Sequence, residues 1–265
     1  MVEVSSPAGR LFDATLQDVR RVASETFALE FETSAGNQLP ATGQFYQVRC
    51  GGDREHMLRR PFSVHFAEVS ASGMKLGFLV ENVGWGTGWL SSLSVGEHVN
   101  MLGPLGKGFT LPSAGKSMLV SGGIGIAPLL YAARELDASG RAYDMLAGFK
   151  TAAKVIDLLG DLSGGVEIYT DDGSSGSAGM ASEGIAGSLG RGYDVVLTCG
   201  PEAMMAEVAA LCEAAGISCQ VSLDARMGCG IGSCRGCVKK GARGSNLCVC
   251  TEGPVFDSFE VAWRV

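Results

Sequence analysis

Near the C-terminus, Cys229, Cys234 and Cys237 form a C-x4-C-x2-C arrangement, and Cys248 and Cys250 follow. Five of the chain's nine cysteines fall in this stretch, and nothing else in the 265 residues constrains the local fold as tightly. The spacing is that of plant-type [2Fe–2S] sites, where three thiolates come from one loop and a fourth from a distant position. Such a loop must fold closely over its metal group, and Gly228, Gly230, Gly232 and Gly236 supply the backbone freedom for that. Zinc also accepts four thiolates, but usually from paired C-x2-C knuckles. This sequence has one such knuckle and ends in C-x-C. The side chains of a C-x-C pair point opposite ways in extended chain. Only one of Cys248 and Cys250 is therefore expected as the fourth ligand.

The preceding residues divide by rhythm. From residue 11 to 103, short, partly alternating apolar runs (LFDATLQDVRRV, ETFALEFET, GQFYQVRC, RPFSVHFAEV, MKLGFLVEN, EHVNMLGP) are mostly separated by Gly, Asn, Pro or Asp. This pattern predicts an antiparallel barrel, with a short helix over GTGWLSSL. Beyond Pro112, strand-like and helix-like runs alternate: SMLVSGG, IAPLLYAARELDASG, AYDMLAGF, AKVIDLLGDL, VEIYT, AGMASEGIAGSL, YDVVLTCG, PEAMMAEVAALCEAAG and ISCQVSL. Alternation of this kind predicts a parallel sheet with helices on both faces. In PEAMMAEVAALCEAAG, Pro201 is expected in the first turn and Gly216 just past the end. The expected domains are 1–112, 113–223 and 224–265.

Composition excludes several classes. A net charge of −7 argues against a broad nucleic-acid surface. No apolar run reaches the roughly 18 residues of a membrane span. The start, MVEVSSPAGRLFDATL, has neither a basic region nor an apolar core, so no signal peptide is expected. A cytoplasmic location follows as the expectation. In a reducing compartment clustered cysteines favour metal or redox chemistry over disulfides. Cys50, Cys212 and Cys219 are expected as core thiols. The histidines His56, His65 and His98 are scattered and carry no assigned role.

Other elements suggest nucleotide binding. In R-P-F-S (Arg60–Ser63), an Arg suits a diphosphate, and a hydroxyl beyond a Pro-fixed bend suits a flavin edge. Gly86-Thr87, before the short helix, would offer free N–H groups to a pyrophosphate. Gly122-Gly123-Ile124-Gly125-Ile126-Ala127-Pro128, between strand and helix, approximates the dinucleotide fingerprint with Pro in place of its last Gly. No acidic residue stands where a ribose-binding Asp would fall, since Asp144 lies at the start of the next strand. Asp171 and Asp172 are either nucleotide-facing or turn formers. Lys150 is a candidate partner for a 2′-phosphate, and the choice between NAD and NADP stays open.

Taken in order, R-P-F-S, G-x-G-T, G-P-L-G-K-G-F (Gly103–Phe109), G-G-I-G-I-A-P, Y-T-D-D-G-S-S-G (Tyr169–Gly176), C-G-P-x-x-M-M (Cys199–Met205) and the terminal V-C-T-E-G-P-V-F resemble the ferredoxin–NADP reductase superfamily. Within it, the chain resembles the electron-transfer subunits of NAD-dependent dihydroorotate dehydrogenase. The resemblance implies a six-stranded FAD barrel touched by Arg60, Pro61, Phe62, Ser63, Leu79, Val80, Glu81, Gly86 and Thr87. It implies NAD(H) at Gly122, Gly123 and Gly125, with Cys199 near the nicotinamide as the catalytic residue. It also selects Cys250 over Cys248, completing a cluster set of Cys229, Cys234, Cys237 and Cys250. One departure is Asp224, where the family pattern S-L-E-x-R-M has Glu. The implied function is electron transfer between an FMN-containing dihydroorotate dehydrogenase catalytic subunit and NAD, in a heterotetramer. A reductase subunit for a hydrogenase, sulfide reductase or oxygenase is the alternative partner reading. A non-catalytic interaction module holding structural zinc is the alternative of another class.

Overall fold

In the computed structural model, which describes residues 9–34, 39–52 and 56–263, six strands close into a barrel. They are β1 (Arg10–Ala23), β2 (Thr26–Thr33), β3 (Phe45–Val48), β4 (Arg60–Ser70), β5 (Gly73–Glu81) and β6 (His98–Leu105), with the short helix α1 (Trp85–Ser91) between the last two. The barrel order is β1-β2-β5-β4-β3-β6, every neighbouring pair antiparallel, and β6 closes onto β1 through pairs such as Leu11 with Leu102. The alternation read from sequence fills the interior. Leu16, Leu29, Phe31, Tyr46, Leu76, Phe78 and Met101 are all fully buried. Each such side chain contributes about 1.5–3 kcal/mol by leaving water. Tyr46 packs edge-on to Phe78, its ring 5.8 Å away. The start of the sequence, residues 1–8, where no leader was expected, lies outside the described residues.

The second layer is the parallel sheet. It contains β7 (Lys116–Gly122), β8 (Ala142–Phe149), β9 (Gly165–Thr170), β10 (Ser177–Ala178), β11 (Val195–Cys199) and β12 (Ser218–Ser222). Its helices are α2 (Ile126–Ala138), α3 (Ala181–Ala186) and α4 (Glu202–Ala215). The α2 core and the α3/α4 core are separate clusters, one on each face. The strand order β10-β9-β8-β7-β11-β12 reverses direction of growth between β7 and β11. In open sheets of this kind the crevice for ligands lies at that reversal, beyond the C-terminal ends of the strands. Gly122 ends β7 and Cys199 ends β11.

Three details differ from the sequence expectations. AKVIDLLGDL is not a helix: only a short 3-10 turn, Ala152–Lys154, precedes an irregular stretch. Its backbone is engaged elsewhere. Asp157 N–H donates to Val22 O at 2.9 Å, and Ala153 O accepts from Ser24 N–H at 2.7 Å, both across to the barrel. Ile156, Leu158 and Leu159 are nonetheless buried, so the apolar residues fill the core without helical spacing. AGMASEGIAGSL yields only the six residues of α3 and a following 3-10 turn. Pro201 caps α4 rather than lying in its first turn.

The C-terminal region adds a hairpin, β13 (Val238–Lys240) with β14 (Asn246–Cys248), and a last strand, β15 (Val255–Asp257). β15 runs antiparallel along β12, pairing Val221 with Phe256, and so forms the edge of the parallel sheet. Lys107 N–H donates to Gly253 O at 2.5 Å, and Leu223 N–H to Pro254 O at 2.9 Å. Barrel, sheet and cysteine-rich segment are therefore joined by backbone hydrogen bonds.

Candidate functional site

A cavity of about 720 Å³ opens where the three parts meet. Its size is within the range of small-molecule and cofactor sites. The barrel supplies Pro61, Phe62 and Ser63 from β4, Leu79 and Glu81 from β5, and Thr87 from α1. The sheet supplies Gly122, Gly123, Gly125 and Cys199. The third wall, Ser222, Asp224, Met227 and Pro254, leads toward the cysteine-rich loop.

Strand geometry decides which expected residues reach the cavity. Leu79 and Glu81 line it, while Val80 between them is 1% exposed inside the barrel core, as alternation along a strand requires. Arg60 and Gly86 are not in the cavity wall but lie together beside it. A Cβ on Gly86 would be 3.6 Å from the Arg60 side chain. The Thr87 hydroxyl is engaged in its own turn, accepting from Val83 N–H (3.0 Å) and Gly84 N–H (3.1 Å). The Glu81 carboxylate pairs with Lys154 at 2.7 Å, a bridge from the barrel to the parallel-sheet region.

The three glycines after β7 serve two purposes. A Cβ on Gly125 would stand 2.5 Å from Cys199 O, and one on Gly122 would stand 2.6 Å from Pro201 Cδ. Both glycines let the loop lie against the Cys199–Pro201 turn. Gly123 has φ +56 and nothing within 4 Å of a missing side chain, so it needs glycine for its conformation. It presents bare backbone to the cavity at the start of α2. At the far end lie Lys150, Asp171 and Met180. Asp172 instead closes its turn, accepting from Ser174 N–H at 3.0 Å and from the Ser174 hydroxyl. Asp144 is tied to Lys116 and to the Tyr193 hydroxyl at the base of the sheet.

Cys199 and Ser222 are register partners on adjacent parallel strands. Burial pushes the Cys199 thiol up to about 12; the Asp224 charge adds to this, and a hydrogen bond with Ser222 opposes it. The group is therefore a neutral thiol at ordinary pH, suited to packing and weak donation rather than to nucleophilic attack. On sequence alone Ser222, Met227 and Pro254 received no role, although the S-L-E-x-R-M and V-C-T-E-G-P-V-F patterns contain them. Ser222 had a signal: it ends the strand beside β11, where parallel neighbours finish in the same crevice.

The cysteine loop folds around its own sulfurs. Ile231 N–H (3.5 Å) and Cys234 N–H (3.4 Å) donate to Cys229 Sγ, Gly236 N–H to Cys234 Sγ (3.4 Å), and Gly232 N–H to Cys250 Sγ (3.2 Å). Donors aimed at sulfur favour thiolate, and they hold Cys234 down at about 7. Cys237, Cys248 and Cys250 are buried with their sulfurs within 4.8 Å of one another. Cys248 and Cys250 do not diverge as the C-x-C argument expected. β14 ends at Cys248, and a turn formed by Thr251 and Glu252 N–H on Cys248 O returns the Cys250 sulfur to 3.8 Å. Beside the loop, Gln47 is fully buried, and among the described residues neither polar atom of its amide has a partner. A Cβ on Gly230 would lie 2.7 Å from it. A thiol-rich pocket ringed by N–H donors fits a sulfur-bridged iron group, and the largely apolar cavity wall at Pro61–Ser63 fits a planar ring system.

Residues 224–262 match the family described as the iron–sulfur cluster binding domain of dihydroorotate dehydrogenase B. Over 262 residues the chain is 39% identical to the dihydroorotate dehydrogenase B (NAD(+)) electron transfer subunit of Desulforamulus reducens, covering 96% of this chain and 99% of that one. The protein of the same name from Caldanaerobacter subterraneus is 36% identical, covering 91% and 94%. Among solved structures, an NADH-dependent reduced ferredoxin–NADP oxidoreductase described for flavin-based electron bifurcation superposes with a TM-score of 0.81 at 24% identity, covering 94% of this chain and 90% of that one. Phthalate dioxygenase reductase gives a TM-score of 0.66 at 18% identity, covering 91% and 94%. These structural likenesses concern the fold.

Proposed function

The chain belongs to the family of dihydroorotate dehydrogenase B (NAD(+)) electron transfer subunits, and from that premise we propose that it carries electrons between a partner's FMN-bearing dihydroorotate dehydrogenase subunit and NAD. The observation that carries this reading is the shared cavity. Elements of the barrel, the parallel sheet and the cysteine-rich segment each supply one of its walls. When bound, FAD supplies exchange between two-electron hydride transfer and single-electron transfer, and a [2Fe–2S] cluster supplies the single-electron relay.

The residues divide the work. Pro61, Phe62 and Ser63, with Leu79 and Glu81, would hold the flavin, and Arg60 would meet its diphosphate beside Gly86. Val80 supports that wall from within the barrel. Gly123 and the start of α2 would receive the nicotinamide nucleotide's phosphates, with Gly122 and Gly125 keeping the loop close to Cys199. Cys199, a neutral and half-buried thiol, would pack against the nicotinamide and exclude water. Cys229, Cys234, Cys237 and Cys250 would hold the cluster. Met227 and Pro254 line the cavity and lie close in sequence to Cys229 and Cys250, so cavity and cluster loop share one continuous stretch of chain.

Among the described residues no helix is long and apolar enough to cross a membrane; a cytoplasmic location and a heterotetramer with the partner belong to this proposal. So does the division at 112 and 223, with β15 contributed by the last segment to the sheet of the second. The test uses the isolated chain. It is expected to reduce an artificial dye with NADH and to leave dihydroorotate untouched. Dihydroorotate oxidation by the chain alone would overturn the division of labour.

A further inference from the structure

We propose that Cys248 is a fifth, exchangeable ligand of the cluster site, placed to take over the iron position of Cys250. The inference rests on the reading that Cys229, Cys234, Cys237 and Cys250 hold the cluster. The Cys248 sulfur lies 3.8 Å from Cys237 Sγ and 3.8 Å from Cys250 Sγ. With metal–thiolate bonds of about 2.3 Å in tetrahedral geometry, two sulfurs on one metal are separated by about 3.8 Å. Cys248 is thus at shared-metal distance from both of its neighbours.

This placement is built by the chain. The Cys248 N–H donates to the Glu252 carboxylate at 2.5 Å, and the turn on Cys248 O fixes where the next residues go. Burial of all three cysteines keeps competing water away. Cys250 and Cys248 differ in their hydrogen bonding. Cys250 Sγ accepts the Gly232 N–H, as Cys229 and Cys234 accept theirs. Among the described residues no backbone N–H donates to the Cys248 sulfur; it lies against the two thiols and takes a side-chain hydrogen bond from Thr251.

Exchange needs no oxidant or reductant. The iron–Cys250 bond breaks and Cys250 takes up a proton; Cys248 releases a proton and forms the new iron–sulfur bond. The iron keeps its sulfur coordination and no electron moves. The device preserves the cluster when Cys250 is lost or modified.

The experiment compares full-length Cys250→Ala, Cys248→Ala, the double variant and Cys229→Ala, each isolated anaerobically. Readouts are iron and acid-labile sulfide per chain, the electron paramagnetic resonance of the reduced protein, and flavin content as the check of folding. Alanine leaves no oxygen to ligate in place of sulfur. Cys248→Ala is expected to load like the parent, and Cys250→Ala to keep about half or more of its iron with a shifted resonance, while the double variant falls about tenfold. Iron in Cys250→Ala as low as in the double variant would overturn the exchange. Loss of iron in Cys229→Ala upholds the underlying cluster reading; full loading there would sink that reading and the proposal together. Should Cys250→Ala not yield folded flavoprotein, Cys250→Ser against Cys248→Ala/Cys250→Ser makes the same comparison. A serinate-type resonance unchanged by loss of Cys248 would then refute the exchange.

Discussion

Gly125→Ala tests the close approach on which the nucleotide wall depends. The backbone of Gly125 is right-handed helical, with φ −60 and ψ −10, so alanine is conformationally acceptable there. On that basis alone the change would stabilise by about 0.4–1 kcal/mol. The new Cβ, however, would meet Cys199 O at 2.5 Å, Cys199 C at 2.7 Å and Gly200 Cα at 2.8 Å. Normal carbon contacts are about 3.5–4.0 Å, so the loop must retreat by about 1 Å. All three obstacles are backbone, and no side chain can swing aside. Overpacking of this kind costs about 1–3 kcal/mol, which outweighs the gain and lowers the melting temperature by several degrees. A displacement of about 1 Å at a site that positions reactants lowers kcat/KM for NADH by up to about a hundredfold. Flavin content should stay at the parent level, because the barrel wall is untouched. The controls are Gly187→Ala and Gly190→Ala: neither glycine has positive φ, and an added Cβ has open space at Gly190 and ordinary contact at Gly187. The assays are thermal unfolding and steady-state NADH-to-dye reduction. Parent-like stability and kcat/KM in Gly125→Ala would refute the packing argument.

Cys229→Ala and Cys234→Ala are each expected to lose iron while keeping flavin and NADH-to-dye activity, checked by metal analysis and by flavin absorbance. Arg60→Ala should release flavin in a dilution assay with little change in melting temperature. Arg59→Ala should do the reverse, because Arg59 donates to Asn100 O at 2.8 Å and ties β6 to the start of β4, a contact worth about 1–3 kcal/mol. Cys199 gives a pH signature. Its folded-state thiol is raised from 9.0 to about 12, so its contribution to stability is complete below about pH 9 and is lost as the pH climbs toward 12. Urea midpoints at pH 7.5 and pH 10 (values chosen about the ordinary thiol range) should therefore converge in Cys199→Ala relative to the parent. An unchanged pH difference would contradict the raised thiol.

The sequence made the barrel legible because its strands have one buried face, and Leu29 and Phe31 in β2 report that face directly. The β7–α2 and β11–α4 turns were legible because glycine and proline punctuate them. The stretch after Lys154 was not. Its apolar residues are spaced as in a helix, but its backbone bonds go to β1 and the end of the barrel, which no local pattern encodes. The pairing of β15 with β12 is likewise a long-range contact made by a three-residue strand. At the site, the motifs found the residues that a turn or strand end exposes: Ser63, Gly123 and Cys199. They included Val80, whose neighbours on either side face the cavity while it does not. Divergence of the two C-x-C side chains requires extended chain through Cys250, whereas the strand stops at Cys248 and turns. Met227 and Pro254 carry no chemical signature, and they are in the cavity only because the cysteine segment folds back over the sheet.

The central claim is that this chain joins a partner's substrate oxidation to NAD. The direct measurement is anaerobic NAD reduction driven by dihydroorotate, followed at the NADH absorbance band, with the chain alone, the FMN-bearing subunit alone and the complex of the two. NADH formation is expected only in the complex, and is lost when the chain carries Cys229→Ala, with flavin still bound. NADH formation by the partner subunit alone, or an undiminished rate with the iron-free Cys229→Ala chain, would contradict the claim.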